Sequence, residues 1–258
     1  MYCVYFGVTL HPICALHIPN TGFKTTVRMI KAALFDLDGV VFDTESQYTI
    51  FWGGEGRKYH PEMPDFAQKI KGQTLVQIYD KYFSSPEVFL GAGEEADVAA
   101  GQRRITERLN RFEQQMDYVY IDGFEDFVKD LKAHGVKCAV VTSSNLPKME
   151  NVYARHPEFL TYFDRVLTSE DFAKSKPDPD CYQRAAQAFG VEPVECAGFE
   201  DSFNGLKSVR AAGACVVGLA TTNPREAIRE YSDLVIDNYV SFSFQQLESF
   251  YHGIFINR

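Results

Sequence analysis

Apolar stretches alternate with helix-like patterns along most of the chain. Short continuous apolar runs predict six buried strands, at residues 32–35, 136–141, 165–167, 195–199, 215–219 and 234–236. Between the strands, apolar residues recur at helical spacing, as at Phe124, Phe127 and Val128. Strands this uniformly apolar, separated by helices, are typical of a parallel sheet that is covered on both faces. The pattern therefore predicts an α/β protein with a Rossmann-like parallel sheet as its core.

One segment interrupts this alternation. Residues 45–118 show no strand pattern, but three stretches within them have helical spacing of apolar residues, although glycines weaken the first. These stretches are residues 47–59, 74–83 and about 98–116. An all-helical block inside an α/β chain is best explained as an insertion. We therefore expect residues 45–118 to form an inserted helical domain, the cap, and residues 29–44 plus 119–258 to form the core.

The first 28 residues need a separate explanation. Met29 begins a natural first strand, and no positive charge precedes Lys24, which is not expected of a signal peptide. We hypothesise that Met29 is the working start and that residues 1–28 are an extension outside the fold. The alternative is a genuine tail that packs on the surface.

The charge balance narrows the possible functions. The 258 residues include 26 Lys and Arg against 35 Asp and Glu, which argues against nucleic-acid binding through bulk positive charge. The six cysteines form no CxxC pair, as expected in a reducing compartment, and no apolar stretch reaches the roughly 18 residues that a membrane span needs. We therefore expect a cytoplasmic protein with neither nucleic acid nor a membrane as partner. Because the cap and the core together could suffice for function, we expect a monomer.

Four polar clusters follow predicted strands. They are Asp36-Leu37-Asp38-Gly39, Thr142-Ser143-Ser144-Asn145, Lys174-Ser175-Lys176-Pro177 and Glu200-Asp201-Ser202. Each cluster alone is typical of a turn or a helix cap. Because ligands bind beyond the carboxyl ends of the strands in an open parallel sheet, we expect the four clusters to meet at one edge. Their carboxylates, hydroxyl groups and lysine suit a divalent metal together with a phosphoryl group.

The carboxylates in these clusters predict a metal site. Asp36 and Asp38 point the same way if the first strand continues past Phe35. Two adjacent carboxylates repel each other, and a hard cation such as Mg²⁺, which prefers oxygen ligands, relieves that repulsion. Glu200 and Asp201, at the end of a neighbouring strand, would complete the site.

The remaining groups predict phosphoryl chemistry. A carboxylate can attack phosphorus to give an aspartyl-phosphate. Thr142 and the backbone N–H groups that follow it begin a loop before a helix, which is a ready anion site. Lys176 can neutralise phosphoryl oxygens in the transition state.

The four motifs resemble those of the haloacid dehalogenase superfamily. The matching runs are Phe35-Asp36-Leu37-Asp38-Gly39-Val40, Val141-Thr142-Ser143, Ser175-Lys176-Pro177-Asp178-Pro179 and Phe199-Glu200-Asp201-Ser202-Phe203-Asn204-Gly205. The resemblance extends from about Ile30 to Ile236. Within the superfamily, the chain is similar to the phosphatase and β-phosphoglucomutase-like subfamily, whose helical cap is inserted after the first motif.

The resemblance implies a role for each matching residue. It implies that Asp36 is the nucleophile and that Asp38 is the general acid and base. It implies a phosphoryl-binding set of Thr142, Ser143 and Lys176, and a Mg²⁺-binding set of Asp36, the carbonyl oxygen of Asp38, Asp201 and, in support, Glu200. The dehalogenase branch lacks the second aspartate, so Asp38 argues against that activity.

Hydrolysis is the expected reaction. β-Phosphoglucomutases carry a His where Tyr48 stands and an Arg at the position of Leu75, and both departures argue against mutase activity. We expect a Mg²⁺-dependent phosphatase that acts on a small phosphorylated metabolite, with a sugar phosphate as the first choice and nucleotides, phosphoglycolate-like acids and pyrophosphate as the other substrate classes. The alternatives are a β-phosphoglucomutase-like mutase and a non-catalytic binding protein.

The cap is expected to select the substrate. The candidates that face the site are Tyr48, Trp52, Lys71, Gln73 and Thr74. Lys71 has two possible roles: it contacts a substrate hydroxyl or a second anion, or it is a solvated surface lysine. Tyr48 and Trp52 lie one helical turn apart, so packing within the cap is the alternative for both.

Overall fold

The computed structural model describes residues 29–256, and the hypothesis about residues 1–28 concerns a segment outside them. Within the described residues, one sheet contains β1 (Ala32–Phe35), β2 (Lys137–Val141), β3 (Arg165–Leu167), β4 (Cys196–Glu200), β5 (Cys215–Leu219) and β6 (Leu234–Ile236). All neighbouring strands are parallel, in the order β3-β2-β1-β4-β5-β6. The predicted parallel α/β core is confirmed, and each strand begins and ends within one residue of its predicted position.

The sheet is buried on both faces. In β1, Ala33 and Phe35 pack into one hydrophobic cluster, whereas Ala32 and Leu34 pack into another, and all four side chains are fully buried. Because successive side chains of a strand point to opposite faces, a strand between two such clusters needs apolar residues at every position. This explains why the strands appear in the sequence as continuous apolar runs.

Five helices follow β1 before the chain returns to the sheet. They are α1 (Glu45–Tyr59), α2 (Phe66–Lys69), α3 (Leu75–Tyr82), α4 (Pro86–Gly91) and α5 (Val98–Gln115). Their buried side chains, among them Trp52, Phe66 and Ile105, form a hydrophobic cluster of their own. Of these helices, α2 and α4 were not predicted because each is too short to show a helical period. The boundaries of the cap and core domains stay a prediction.

Helix α1 continues through its three glycines for a packing reason. A Cβ atom at Gly56 would lie only 2.8 Å from the Cβ of Phe66 in α2. The absence of a side chain at this position therefore allows α1 and α2 to approach closely, which offsets the low helix propensity of glycine.

The other helices cover the sheet. They are α6 (Phe124–Ala133), α7 (Leu146–Arg155), α8 (Phe159–Tyr162), α9 (Asp180–Phe189), α10 (Phe203–Ala212), α11 (Arg225–Ile228) and α12 (Phe244–Ile256). Among the helices of residues 29–256, none has the length and hydropathy required of a membrane span. The strand order reverses its direction at β1, which lies between β2 and β4, and such a switch point leaves a crevice beyond the carboxyl end of the strand.

Candidate active site

A buried lysine contacts oxygen atoms at the carboxyl ends of β1, β2 and β4. The Lys176 Nζ donates to Asp36 Oδ1 at 2.7 Å and to the carbonyl oxygen of Val141 at 2.9 Å. The same Nζ lies 2.7 Å from Glu200 Oε1. Lys176 is 1% exposed, so these three oxygens surround an ammonium group that water hardly reaches. The structure therefore brings together residues from four distant parts of the sequence.

Three carboxylates lie together beside this lysine. Oxygens of Asp36, Glu200 and Asp201 all lie within 4.8 Å of one another. Glu200 is held on both oxygens, because Oε1 accepts from Lys176 and Tyr182 and Oε2 accepts from the backbone N–H of Asp201. Asp36 and Asp201 are therefore the carboxylates better placed to bind a further cation.

The electrostatics of the three carboxylates fit a hard divalent cation. Burial raises the pKa of Asp36 to about 7; Lys176 opposes that rise and the charge of Glu200 adds to it. Burial also raises the pKa of Asp201 well above its usual range, together with the charges of Glu45 and Glu200. Burial alone would lower the pKa of Lys176, but Asp36 and Glu200 overcome this effect and raise it. One ammonium therefore faces several buried carboxylates, and their oxygens are the donors that Mg²⁺ prefers.

Asp38 lies in a separate ion pair. Both of its carboxylate oxygens accept from Lys148 Nζ, each at 2.5 Å. The Thr44 hydroxyl also donates to Oδ1 at 2.5 Å, and the Ser144 hydroxyl donates to Oδ2 at 3.1 Å. The side chain of Asp38 is thus fixed by three donors, outside the group of three carboxylates. Its predicted roles in acid–base chemistry and, through its carbonyl oxygen, in metal binding stay predictions.

Several residues that contact these acids were not found by sequence reasoning, among them Lys148, Tyr182, Thr44 and Thr222, whose hydroxyl donates to Asp201. Lys148 is 1% exposed and lies over the ring of Tyr48, 4.5 Å from the ring centroid. The Tyr182 hydroxyl donates to Glu200 Oε1 at 2.7 Å, and Tyr182 is fully buried. The sequence offered a weak signal for Lys148 and Tyr182, because each is a polar residue in the first turn of a helix that follows a motif.

The loop after β2 supplies hydroxyl groups. The Thr142 hydroxyl accepts from the backbone N–H of Ser144 at 3.0 Å. The Ser143 hydroxyl is buried and has no hydrogen-bond partner among residues 29–256. Thr142 and Ser143 line the same cavity as Asp36 and Asp38. Because buried polar groups are nearly always hydrogen-bonded in proteins, the Ser143 hydroxyl suits a bound ligand such as a phosphoryl group.

The cavity lies between the core and the cap and has a volume of about 290 Å³. All five cap candidates, Tyr48, Trp52, Lys71, Gln73 and Thr74, are among its lining residues. Hydrogen bonds join the cap to the core beside the cavity. The Asn204 amide donates to the carbonyl oxygen of Lys71 at 3.2 Å, the Gln77 amide donates to the carbonyl oxygen of Lys176 at 3.5 Å, and the Ser175 hydroxyl donates to the Thr74 hydroxyl.

Several cap candidates also have structural partners. Lys71 Nζ lies 3.0 Å from Glu45 Oε2, so it is not a solvated surface lysine. The Tyr48 hydroxyl donates to Glu113 Oε1 at 2.7 Å. Thr74 caps helix α3 in a capping box and accepts from the Ser175 hydroxyl at 3.2 Å. These contacts leave Gln73, whose amide donates to a backbone carbonyl of the cap, as the candidate least tied to other side chains.

Comparisons with known proteins identify the family to which the chain is similar. A family model described as haloacid dehalogenase-like hydrolase matches residues 30–213. The chain is 26% identical over 219 residues to the beta-phosphoglucomutase of Bacillus subtilis, an alignment that covers 81% of this chain and 93% of that protein. It is 29% identical over 200 residues to a Drosophila melanogaster protein named "Probable pseudouridine-5'-phosphatase", with 74% and 82% of the two chains covered.

The fold is shared with solved structures. The crystal structure of a HAD hydrolase of family IA, variant 3, from Entamoeba histolytica matches with a TM-score of 0.70 and 19% identity. That match covers 86% of this chain and 99% of the other. At this level of identity the likeness concerns the fold alone.

Proposed function

Since the chain belongs to the haloacid dehalogenase-like hydrolase family, we propose that it is a Mg²⁺-dependent phosphatase that acts through an aspartyl-phosphate on Asp36. The observation that carries this proposal is the position of the Asp36 carboxylate. It lies in a cavity, 2.7 Å from a buried ammonium group and beside two further buried carboxylates. The proposed substrate is a small phosphorylated metabolite, with sugar phosphates as the first class to test.

The metal would be held by the acids at the end of the sheet. Asp36, Asp201 and the carbonyl oxygen of Asp38 are the proposed ligands, and Glu200 supports them through its contact with Lys176. When bound, Mg²⁺ supplies positive charge that reduces the repulsion between the phosphoryl oxygens and the attacking carboxylate.

The residues of the chain divide the reaction into two steps. In the first, an oxygen of Asp36 forms a bond to phosphorus while the bond from phosphorus to the ester oxygen breaks, and Asp38 gives a proton to that oxygen. In the second, the oxygen of a water forms a bond to the phosphorus of the aspartyl-phosphate while the bond from phosphorus to the Asp36 oxygen breaks. Asp38 takes up a proton from the water, the Asp36 carboxylate is restored, and inorganic phosphate leaves. Lys176 and the hydroxyls of Thr142 and Ser143 hold the phosphoryl oxygens throughout.

The cap side of the cavity favours hydrolysis over a mutase reaction. A mutase that uses a bisphosphate intermediate needs a cation for the second phosphate. Leu75 and Tyr48 line the cavity, and the Nζ of Lys71 is already paired with Glu45. The match to the Bacillus subtilis beta-phosphoglucomutase nevertheless makes the mutase reaction the second candidate.

Phosphate release from p-nitrophenyl phosphate tests the proposal. We expect the wild-type protein to release phosphate with Mg²⁺ and to lose this activity in EDTA. Asp36→Asn should be folded but inactive, whereas Asp126→Asn, a change at an exposed position of α6, should keep wild-type activity. Turnover by Asp36→Asn would exclude Asp36 as the nucleophile.

A second assay separates the two candidate reactions. Conversion of glucose 1-phosphate to glucose 6-phosphate, measured with a trace of the bisphosphate, reports mutase activity. We expect phosphate release to exceed this conversion. Efficient conversion with little phosphate release would favour the mutase.

A further inference from the structure

The two ends of the cavity differ in chemistry. The core end presents Asp36 and the hydroxyls of the loop after β2. The cap end is formed largely by apolar side chains that are themselves buried, namely Trp52, Ala67, Ile70, Ile78 and Leu109. If the phosphoryl group lies at the core end, the rest of the substrate must contact this apolar surface.

The cap end offers little to a second anion. Among the described residues that line the cavity, Lys71 is the one cationic side chain, and its Nζ is 3.0 Å from Glu45. Both side chains of this pair are less than one-fifth exposed. A ligand anion would therefore have to compete with a carboxylate that already holds the ammonium in a poorly hydrated position.

Carboxylates in the cavity lining also disfavour the binding of a second anion. Glu113 lines the cavity, is 5% exposed, and accepts from the Tyr48 hydroxyl. Half-buried Glu45 and exposed Glu170 line it as well, so Glu113 is the most buried of the three. Bringing a further negative charge near buried carboxylates is costly, because the low dielectric strengthens the repulsion and removes hydration.

The volume also limits the substrate. About 290 Å³ is near the lower end of the range found for small-molecule sites, which begins at roughly 300 Å³. The cavity therefore suits one phosphoryl group with a small organic remainder.

We propose that this phosphatase acts on monophosphate esters whose leaving alcohol is uncharged and has an apolar face, and that it discriminates against bisphosphates and phosphorylated carboxylic acids. This inference rests on the proposed function, because it assumes that the phosphoryl group binds beside Asp36. The residues that would determine the preference are Leu75 and Trp52, which supply apolar surface, and Glu113, which repels a second anion.

Two isosteric esters test the preference directly. Para-carbamoylphenyl phosphate and para-carboxyphenyl phosphate have nearly the same shape and differ by one negative charge. We expect the wild-type protein to show a kcat/KM for the neutral ester that is higher by about tenfold or more, because the extra charge must approach buried carboxylates. A ratio near one, or a preference for the charged ester, would overturn the inference.

A matched pair of variants extends the test. Leu75 is half-buried at the start of α3 and lines the cavity, so Leu75→Arg places a cation there. We expect it to reduce the preference for the neutral ester several-fold. Leu90→Arg adds the same charge to the cap at a leucine that is 54% exposed and outside the cavity lining, and it should leave the ratio unchanged. An equal effect of the two variants would contradict a local origin of the preference.

The wild-type data also separate this inference from the proposed function. If the protein releases phosphate from p-nitrophenyl phosphate but its kcat/KM is nearly the same for the neutral and the charged ester, the preference is overturned and the phosphatase reaction stands. No release from any of the three esters would overturn the phosphatase reaction and the preference together.

Discussion

Lys148 donates to both carboxylate oxygens of Asp38, at 2.5 Å each, although the two residues are 110 positions apart in the sequence. The ammonium group also lies over the ring of Tyr48 in α1, so it touches the core and the cap at once. A buried ion pair of this kind is not strong evidence for stability, because desolvation offsets much of the attraction. Its clearest effect is to fix the orientation of the Asp38 side chain.

Replacement of Lys148 should therefore affect turnover more than binding. Lys148 is not among the cavity-lining residues, so Lys148→Met should leave KM nearly unchanged. We expect kcat to fall about tenfold to a hundredfold, because only part of the rate enhancement from acid–base catalysis depends on this contact. Steady-state kinetics on p-nitrophenyl phosphate, with the melting temperature measured to verify folding, would check this. Lys129→Met, at an exposed lysine of α6, is the matched control. An unchanged kcat in folded Lys148→Met would show that Asp38 does not depend on the contact.

The stability of the metal-free protein should depend on pH with a definite sign. Burial raises the pKa of Asp36 from 3.8 to about 7 and also raises those of Asp201 and Glu45. A carboxyl group with a raised pKa in the folded state stabilises the fold below its unfolded pKa, and this contribution is lost as the pH rises through the folded value. In EDTA, the melting temperature should therefore fall as the pH rises from about 5 to about 8.

Bound Mg²⁺ and the substitution Asp36→Asn should each reduce the dependence of the melting temperature on pH. Because the cation binds ionised carboxylates, Mg²⁺ should raise the melting temperature more at about pH 8 than at about pH 5. Asp36→Asn should show a flatter profile in EDTA, since one of the titrating carboxyl groups is gone. Differential scanning fluorimetry would measure the melting temperature of the wild-type protein in EDTA, of the wild-type protein with Mg²⁺, and of Asp36→Asn in EDTA. A melting temperature of the metal-free protein that rises over this range would contradict the expected sign.

The sequence predicted the strands well because burial on both faces leaves a simple signal. Residues 32–35 must be apolar at every position, and the polar residue that ends the strand, Asp36, then falls at the carboxyl edge of the sheet. The positions of Thr142, directly after β2, and of Asp201, directly after β4, follow from the same reasoning, whereas Lys176 lies in the loop between β3 and α9. A parallel sheet that is covered on both faces therefore makes the approximate place of the site predictable from sequence, even with a long helical insertion between β1 and β2.

Contacts between long side chains were not predictable in the same way. A lone lysine such as Lys148, three residues after the N-cap Asn145, has the sequence pattern of a solvated helix residue. Its burial depends on the position of Tyr48 in the cap, and no local pattern records that packing. The pairing of Lys71 with Glu45 is hidden for the same reason, since it joins the loop between α2 and α3 to the first residue of α1.

Tyr182→Phe should destabilise the protein, because it removes a hydrogen bond to Glu200, the carboxylate that pairs with Lys176. The substitution removes the hydroxyl that donates to Glu200 Oε1 at 2.7 Å but keeps the buried ring. A hydrogen bond to a charged group contributes about 1.5–3 kcal/mol, so we expect the free energy of unfolding to fall by about that amount. Urea denaturation would measure it, with Tyr153→Phe, at a half-buried tyrosine of α7, as the control. Equal effects of the two variants would argue against a special role for the contact with Glu200.

Gly205→Ala tests whether the position of Glu200 can change. A Cβ at Gly205, in the first turn of α10, would overlap the carboxylate of Glu200. That carboxylate cannot move away without lengthening its contacts to Lys176 and Tyr182. Because overpacking of a buried site costs about 1–3 kcal/mol, we expect destabilisation of that size, together with a lower kcat as Lys176 shifts relative to Asp36.

A second glycine provides the control for this prediction. An ideal Cβ at Gly91, the last residue of α4, meets no atom of the described residues within 4 Å. Gly91→Ala should therefore be neutral or stabilising by up to about 1 kcal/mol, since alanine has the higher helix propensity. Urea denaturation and phosphate release would be measured for both variants. Wild-type stability and kcat in Gly205→Ala would mean that Glu200 has room to move, and that the lysine beside Asp36 does not depend on its position.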